Sequence, residues 1–105
     1  MKKKQFKIEL SDEAETDFDK SYNYYANESE KLADAFFNQV NNSFQKINKN
    51  PLANPKVYKD IRKHITNKFP FVIYYQIKEL LIKVIAIFHT SRNPEIWIDR
   101  IENEK

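Results

Sequence analysis

The sequence predicts an α+β fold in which a helical hairpin covers one face of a single sheet. A strand-like alternation opens the chain, two amphipathic helical patterns follow, and three apolar runs precede a short terminal helix. The predicted order is β-α-α-β-β-β-α, with the N-terminal strand and a three-stranded antiparallel meander forming the sheet. Because 105 residues suit one domain, we expect a single domain over residues 1–105.

The N-terminal half predicts one strand and two helices. Phe6, Ile8 and Leu10 alternate with polar residues, which indicates a half-buried strand over residues 5–10. Ser11 is a good helix N-cap, and acidic residues follow it. The helices should span about residues 12–27 and 30–48, joined as an antiparallel hairpin. Their predicted apolar faces consist of Ala14, Phe18, Tyr22 and Tyr25 in the first and Leu32, Ala33, Phe36, Phe37, Val40, Phe44 and Ile47 in the second.

The C-terminal half predicts three strands, at residues 57–65, 69–78 and 81–89, and a short helix at 94–102. In the first of these strands, Val57, Ile61 and Ile65 are expected to face the helical hairpin. Side chains alternate along a strand, so Arg62 and His64 should then lie on the opposite, open face.

Composition narrows the possible chemistry. The chain has no cysteine, which excludes disulfides and thiolate metal sites and fits a reducing cytoplasm. It has no glycine, which excludes glycine-rich phosphate loops. Two distant histidines are weak evidence for a metal site, so we expect no metal and no other cofactor. The longest apolar stretch, residues 80–88, is shorter than the ~20 residues of a membrane helix.

Charge is unevenly distributed along the chain. Residues 1–50 hold eight lysines and nine acidic residues, whereas residues 51–105 hold ten basic and six acidic residues. The second half is therefore expected to face an acidic partner, either a nucleic acid or a protein.

Two clusters are candidates for catalysis. Arg62 is one of only three arginines beside fifteen lysines, and its planar fork of donors suits phosphate. A second cluster, His89 to Pro94, follows the last strand. Arg62, His89 and Arg92 could converge to bind phosphate and move protons. Alternatively, His89 is satisfied locally and Arg92 pairs with an acid such as Glu95 or Asp99.

A wider set of residues is a candidate for binding a partner. These residues are basic or aromatic and lie in the second half: Tyr58, Lys59, Arg62, Lys63, His64, Trp97 and Arg100. Trp97 either stacks on bases or, as is more usual for a tryptophan on a short amphipathic helix, docks into the core.

The ordered motifs resemble the RelE/ParE superfamily of toxins from type II toxin–antitoxin systems. They run from Leu10–Phe18 through Tyr24-Tyr25, Ala35-Phe36, Arg62-Lys63-His64, Phe69-Pro70-Phe71 and Ile73-Tyr74-Tyr75 to Phe88–Pro94 and Trp97. The last segment is similar to the ParE-like branch, in which a strand ending in His leads to Arg, an Asn or Asp, and Pro.

The resemblance implies an antitoxin partner whose C-terminal segment wraps the toxin, and one of two activities. ParE-like members act on DNA gyrase, whereas RelE-like members cleave mRNA in the ribosomal A site, often with a C-terminal tyrosine. Here Trp97 stands near that tyrosine's place, and an indole cannot exchange a proton as a phenol does. We therefore expect a cytoplasmic gyrase poison. The alternatives are a ribosome-dependent mRNA endonuclease and a weakly toxic antitoxin-binding module.

Overall fold

The computed structural model describes residues 5–102 and confirms the α+β prediction. The terminal residues of the predicted single domain, including the end of the C-terminal segment, lie outside the described residues. The elements are, in chain order, β1 (Lys7–Leu10), α1 (Asp12–Glu28), α2 (Glu30–Lys49), β2 (Lys56–Tyr58), β3 (Ile61–Ile65), β4 (Phe71–Lys78), β5 (Leu81–His89) and α3 (Glu95–Glu102). No helix within residues 5–102 is long and apolar enough to cross a membrane.

Two serines set the ends of the helical hairpin. The Ser11 hydroxyl accepts from the backbone N–H of Ala14 (3.1 Å) and so caps α1. Ser29 serves both helices: its backbone N–H donates to Tyr25 (2.9 Å) at the end of α1, and its hydroxyl accepts from Leu32 N–H (3.0 Å) at the start of α2. One extended residue therefore reverses the chain, which explains why the predicted hairpin is so tight.

The predicted strand over residues 57–65 is wrong in one respect, because it is two strands. Lys59 has a φ of 51°, in the left-handed region, and the chain turns there between β2 and β3. Glu79 (φ 56°) makes the corresponding turn between β4 and β5. Such turns usually contain glycine or asparagine, so a lysine gave no turn signal in the sequence.

The five strands form one sheet in the order β1-β5-β4-β3-β2. The last four form an antiparallel meander, as predicted apart from the extra strand, while β1 pairs with β5 in parallel. β1 and β5 are parallel because the helical hairpin leads into β2, which runs opposite to β1, and the three antiparallel pairings that follow give β5 the direction of β1.

Apolar residues fill both faces of the sheet. The helical hairpin covers one face through a cluster of Ala14, Phe36, Val40, Ile47, Phe71, Ile73, Tyr75, Ile82, Val84 and Ile87. α3 covers the other through Ile61, Val72, Tyr74, Ile85, Ala86, Phe88 and Trp97. The predicted apolar face of α2 is too wide, since Phe37 remains 45% exposed and Leu32 37% exposed.

A bulge interrupts the pairing of β4 with β5. Tyr74 pairs with Ala86 and Tyr75 with Val84, so Ile85 is the extra residue. β1 ends opposite Val84, so beyond that residue β5 has a neighbouring strand, β4, on one edge only. Side chains bind this exposed backbone, and they form the centre of the site described below.

Candidate functional site

The structure places Arg62 and His64 on the face opposite to the one predicted. Arg62 pairs with Tyr75 and His64 with Ile73, and both partners belong to the core under the helical hairpin. Ile61 instead faces α3, and Ile65 is 59% exposed. The prediction was wrong because it assumed one apolar core, whereas Trp97 of α3 builds a second core that takes Ile61.

Arg62 and His64 hold the loop between α2 and β2. The Arg62 guanidinium donates to the carbonyls of Asn54 (2.6 Å) and Leu52 (3.2 Å). The His64 Nδ1 lies 3.3 Å from the Asn54 side-chain oxygen, which can only accept, so Nδ1 carries the proton of this bond. The Asn54 amide donates in turn to the Tyr75 hydroxyl (3.0 Å). Both predicted site residues are thus engaged with the protein itself.

Tyr75, a core residue, also holds the loop between α2 and β2. Its hydroxyl donates to the Pro51 carbonyl (2.7 Å), and its side chain is fully buried. Burial raises the pKa of Tyr75, so the phenol stays protonated and keeps donating at neutral pH. A buried carbonyl is thereby satisfied where the chain leaves α2.

His64 should make stability depend on pH. Burial, with a smaller effect from the charge of Lys46, lowers the pKa of His64 below its ordinary 6.5. The unfolded chain therefore binds this proton more tightly, and the stability that His64 contributes above pH 6.5 is lost as pH falls through the folded pKa. We expect the His64→Gln chain to lose less unfolding free energy than the wild type between pH 7.5 and about 5 in urea titrations. Equal losses in both proteins would contradict this assignment.

His89 ends β5 at the mouth of a cavity. Its Nδ1 accepts from the Ser91 backbone N–H (3.1 Å) and lies 2.8 Å from the Ser91 hydroxyl. In the neutral imidazole the proton therefore sits on Nε2. The cavity, of about 480 Å³, is also lined by Lys20, Tyr24 and Phe71. His89 is thus satisfied locally through one nitrogen, and its ring packs edge-on against Phe71 at 5.4 Å.

Arg92 pairs with an acid, as the alternative prediction had it, but that acid is Asp17 of α1 rather than Glu95 or Asp99. Arg100 of α3 pairs with the same carboxylate through two bonds, of 2.7 and 3.0 Å, whereas Arg92 makes one of 3.3 Å. The guanidinium carbon of Arg92 lies 4.0 Å from the centre of the Phe88 ring, and that of Arg100 lies 5.0 Å from it. One carboxylate and one aromatic ring therefore position both arginines.

The same cluster satisfies the exposed backbone beyond the bulge. Asp17 Oδ2 accepts from the Ile87 N–H (3.1 Å), and Arg100 donates to the Ile85 carbonyl (3.1 Å). The Ser11 hydroxyl donates to that carbonyl as well (3.3 Å). Asp17 is 5% exposed, so it is a buried charge compensated by two cations and a backbone donor.

Sequence reasoning missed Asp17, although a signal existed. Asp17 lies three positions after Ala14 and one before Phe18, inside the apolar stripe of α1. A carboxylate in such a stripe needs a cationic partner, and the chain has only three arginines to offer the bidentate geometry. The sequence could have flagged this acid, but it could not have named the partner.

The remaining predicted residues connect the β2–β3 turn to α3. The Tyr58 hydroxyl and the Lys59 ammonium (3.1 Å) both bond Glu102, and the bond from Tyr58 is the main cause of a lowered Glu102 pKa. Trp97 is 3% exposed and stacks on Tyr74, with ring centres 4.4 Å apart, so it docks into the core. Lys63 lies on this same α3 side, opposite Tyr74.

Arg62 and His89 do not converge. Arg62 lies on β3 opposite Tyr75 of β4, and His89 lies on β5 opposite Phe71 of β4. Phe71 and Tyr75 are four residues apart along β4, which corresponds to about 13 Å. The backbones of Arg62 and His89 are thus roughly 16 Å apart, counting two strand spacings of about 4.8 Å. Arg92 lies near His89 in sequence but is turned toward Asp17. Within residues 5–102, no group of three or more His, Asp or Glu side chains is arranged to hold a metal ion.

Comparisons with known proteins place this fold. A solved structure titled "Chromosomal ParDE TA system from P. aeruginosa" superposes with a TM-score of 0.74 at 14% identity, covering 85% of this chain and 100% of the other, so the two share a fold. A family model described as "ParE toxin of type II toxin-antitoxin system, parDE" matches residues 8–94. No curated protein sequence matched. The chain belongs to the ParE toxin family.

Proposed function

We propose that this chain is a toxin that an antitoxin neutralises and that stops growth by binding DNA gyrase. The observation that carries the choice of gyrase over mRNA is the separation of Arg62 from His89 and Arg92, together with the binding of Arg92 to Asp17. A ribonuclease needs its cations around one phosphate, within hydrogen-bond distance of it. Here Arg62 binds loop carbonyls and Arg92 binds Asp17.

The target-binding surface that we propose combines the β2–β3 turn with α3. Tyr58 and Lys59 bond Glu102 of α3, and Lys63 lies beside them on the same side of the sheet. Trp97 and Arg100 lie underneath this surface and hold α3 in place, since both side chains are largely buried. Lys59 is exposed and Lys63 is half-buried, and both charges suit an acidic partner surface. Contacts of this kind need no proton-transfer residue.

The proposed antitoxin would use apolar contacts as well as charge. Leu52, Val57 and Ile65 are 67, 41 and 59% exposed, which is unusual for large aliphatic residues. An antitoxin segment that covers them would bury apolar area, and acidic residues on it would meet the basic second half of the chain.

An mRNA endonuclease is the second candidate, and the His89 cavity favours it. Exposed His89 shares that cavity with Lys20 and Tyr24, which together offer an imidazole, an ammonium group and a phenol. These groups could act on a phosphate without Arg62 or Arg92. Such a site would differ from the one that the sequence predicted.

One set of variants separates these functions. We expect His89→Gln to keep growth arrest and inhibition of gyrase supercoiling, and Lys59→Gln/Lys63→Gln to weaken both at least about tenfold, because it removes two charges from the proposed surface. Lys31→Gln/Lys78→Gln removes the same charge elsewhere and should behave like the wild type. Growth, supercoiling and mRNA cleavage during in vitro translation are measured, with and without the antitoxin.

Three outcomes would contradict the proposal. Loss of arrest in His89→Gln, together with cleavage of mRNA by the wild type and unaffected gyrase, would show an endonuclease. A wild-type chain that binds its antitoxin but arrests nothing would be a binding module. Arrest that coexpressed antitoxin does not relieve would exclude the toxin–antitoxin pairing.

A further inference from the structure

A stripe of amide side chains runs along α2 beside its apolar face. It includes Asn38, Gln39, Asn42 and Gln45 and ends in two lysines one turn apart, Lys46 and Lys49. Asparagine is a poorer helix former than alanine or lysine, so Asn38 and Asn42 cost helix stability. Of these four amides, only Gln39 has a hydrogen-bond partner among the described residues. The stripe therefore presents unused donors and acceptors to solvent.

The loop between β3 and β4 forms the opposite wall of a cleft. The Lys68 backbone N–H donates to the Gln39 side-chain oxygen (2.9 Å), which fixes the loop against α2. Asn67, Lys68 and Phe69 line this wall, and the open cleft has a volume of about 600 Å³. The cleft is thus a built feature, with walls held together by a hydrogen bond.

The cleft is strongly cationic for its size. Lys46, Lys49 and Lys68 line it, and no acidic residue does. Across residues 5–102, none of these three ammonium groups forms an ion pair. Lysines at the C-terminal end of a helix also complement its dipole, which accounts for Lys46 and Lys49. That effect explains neither Lys68, which lies on the facing loop, nor the amides.

We propose that this cleft binds single-stranded nucleic acid, with its lysines on successive phosphates and its amides on bases or sugars. Lysine is a compact charge that suits phosphate, and amides both donate and accept, as base edges do. Phe69 is half-buried in the loop wall of the cleft and offers an aromatic surface to a base. A duplex buries its base edges in grooves and presents a convex surface. The carboxylates of an acidic peptide only accept, so its only donors to the amide oxygens would be backbone N–H groups.

The test measures fluorescence anisotropy of labelled oligomers of about 12 nucleotides, as single-stranded DNA, single-stranded RNA and duplex DNA. The purified chain should bind at least one single strand more tightly than the duplex. Lys46→Gln/Lys49→Gln/Lys68→Gln should weaken binding at least about tenfold and reduce the slope of log affinity against log salt by about 2, at ~0.7 per lysine. The matched control, Lys7→Gln/Lys31→Gln/Lys78→Gln, removes three exposed lysines outside the cleft and should keep the wild-type slope.

The double variant Asn38→Ala/Asn42→Ala tests whether the amides contribute to binding beyond the attraction between charges. Alanine favours the helix, so this variant should melt no lower than the wild type while binding several-fold more weakly with an unchanged salt slope. If the two triple-lysine variants lost equal affinity for the single strand, the attraction would be nonspecific and the proposal would be overturned. Unchanged affinity in the asparagine variant, tighter binding of duplex than of either single strand, or equal binding of a glutamate peptide of matched charge would also overturn it. None of these results depends on whether gyrase is the target.

Discussion

Replacing Asp17 with alanine is expected to lower the free energy of unfolding by about 3–5 kcal/mol, the usual cost of removing one partner from a buried ion pair. Asp17 is 5% exposed and compensates Arg100, whose side chain is 15% exposed. Its loss would leave that guanidinium without a counterion and the Ile87 N–H without an acceptor. Urea unfolding at pH 7 provides the measurement.

Asp19→Ala is the matched control, because Asp19 lies on the same helix two residues later and is exposed. It should change stability by less than about 0.5 kcal/mol, as exposed substitutions usually do. Arg92→Ala should cost less than Arg100→Ala, since Arg92 is more exposed and makes one bond to the carboxylate rather than two. If Asp17→Ala and Asp19→Ala were equally mild, the cluster would not hold α1, β5 and α3 together.

Phe36→Ala should cost about 3–5 kcal/mol, through lost burial and the cavity left behind. Phe36 is fully buried, and its ring contacts those of Phe18, Tyr25, Phe69 and Phe71 at centroid distances of 4.9–5.6 Å. It lies where both helices meet the sheet. The loss should appear as a lower urea midpoint with little change in the slope of unfolding free energy against urea.

The neighbouring residue supplies the control for Phe36. Phe37 has the same side chain on the same helix but is 45% exposed, so Phe37→Ala removes far less buried area. We expect it to cost less than about 1.5 kcal/mol. A Phe36→Ala loss below about 1 kcal/mol, or one equal to that of Phe37→Ala, would refute the packing of α2 described here.

Local patterns were sufficient to predict most of the secondary structure. The Ser11 cap predicted the start of the first long helix, and β5 was predicted at Leu81–His89, where the structure has it. These features depend on a residue and its near neighbours in the chain. The turn at Lys59 was missed because a left-handed lysine carries no local signal.

Which face of β3 packs against the helical hairpin could be determined only from the tertiary structure. Alternation shows that Arg62 and Ile61 point to opposite sides, but it cannot say which side meets the helical hairpin when both sides are apolar. Here α3 supplies a second core through Trp97, and that core takes Ile61. Arg62 consequently lies on the side of Tyr75 and binds the loop carbonyls rather than a ligand on an open face.

The sequence alone thus determined the α+β class, the helical hairpin, the meander and the resemblance to RelE/ParE toxins, because each rests on periodicity, caps or the order of short motifs. Only the tertiary structure decided the partners of the arginines. Asp17 and Arg100 are 83 positions apart, and they meet where β1 ends and leaves backbone groups of β5 that both side chains satisfy. Pairing at that separation follows from packing of the whole chain, which no local pattern encodes.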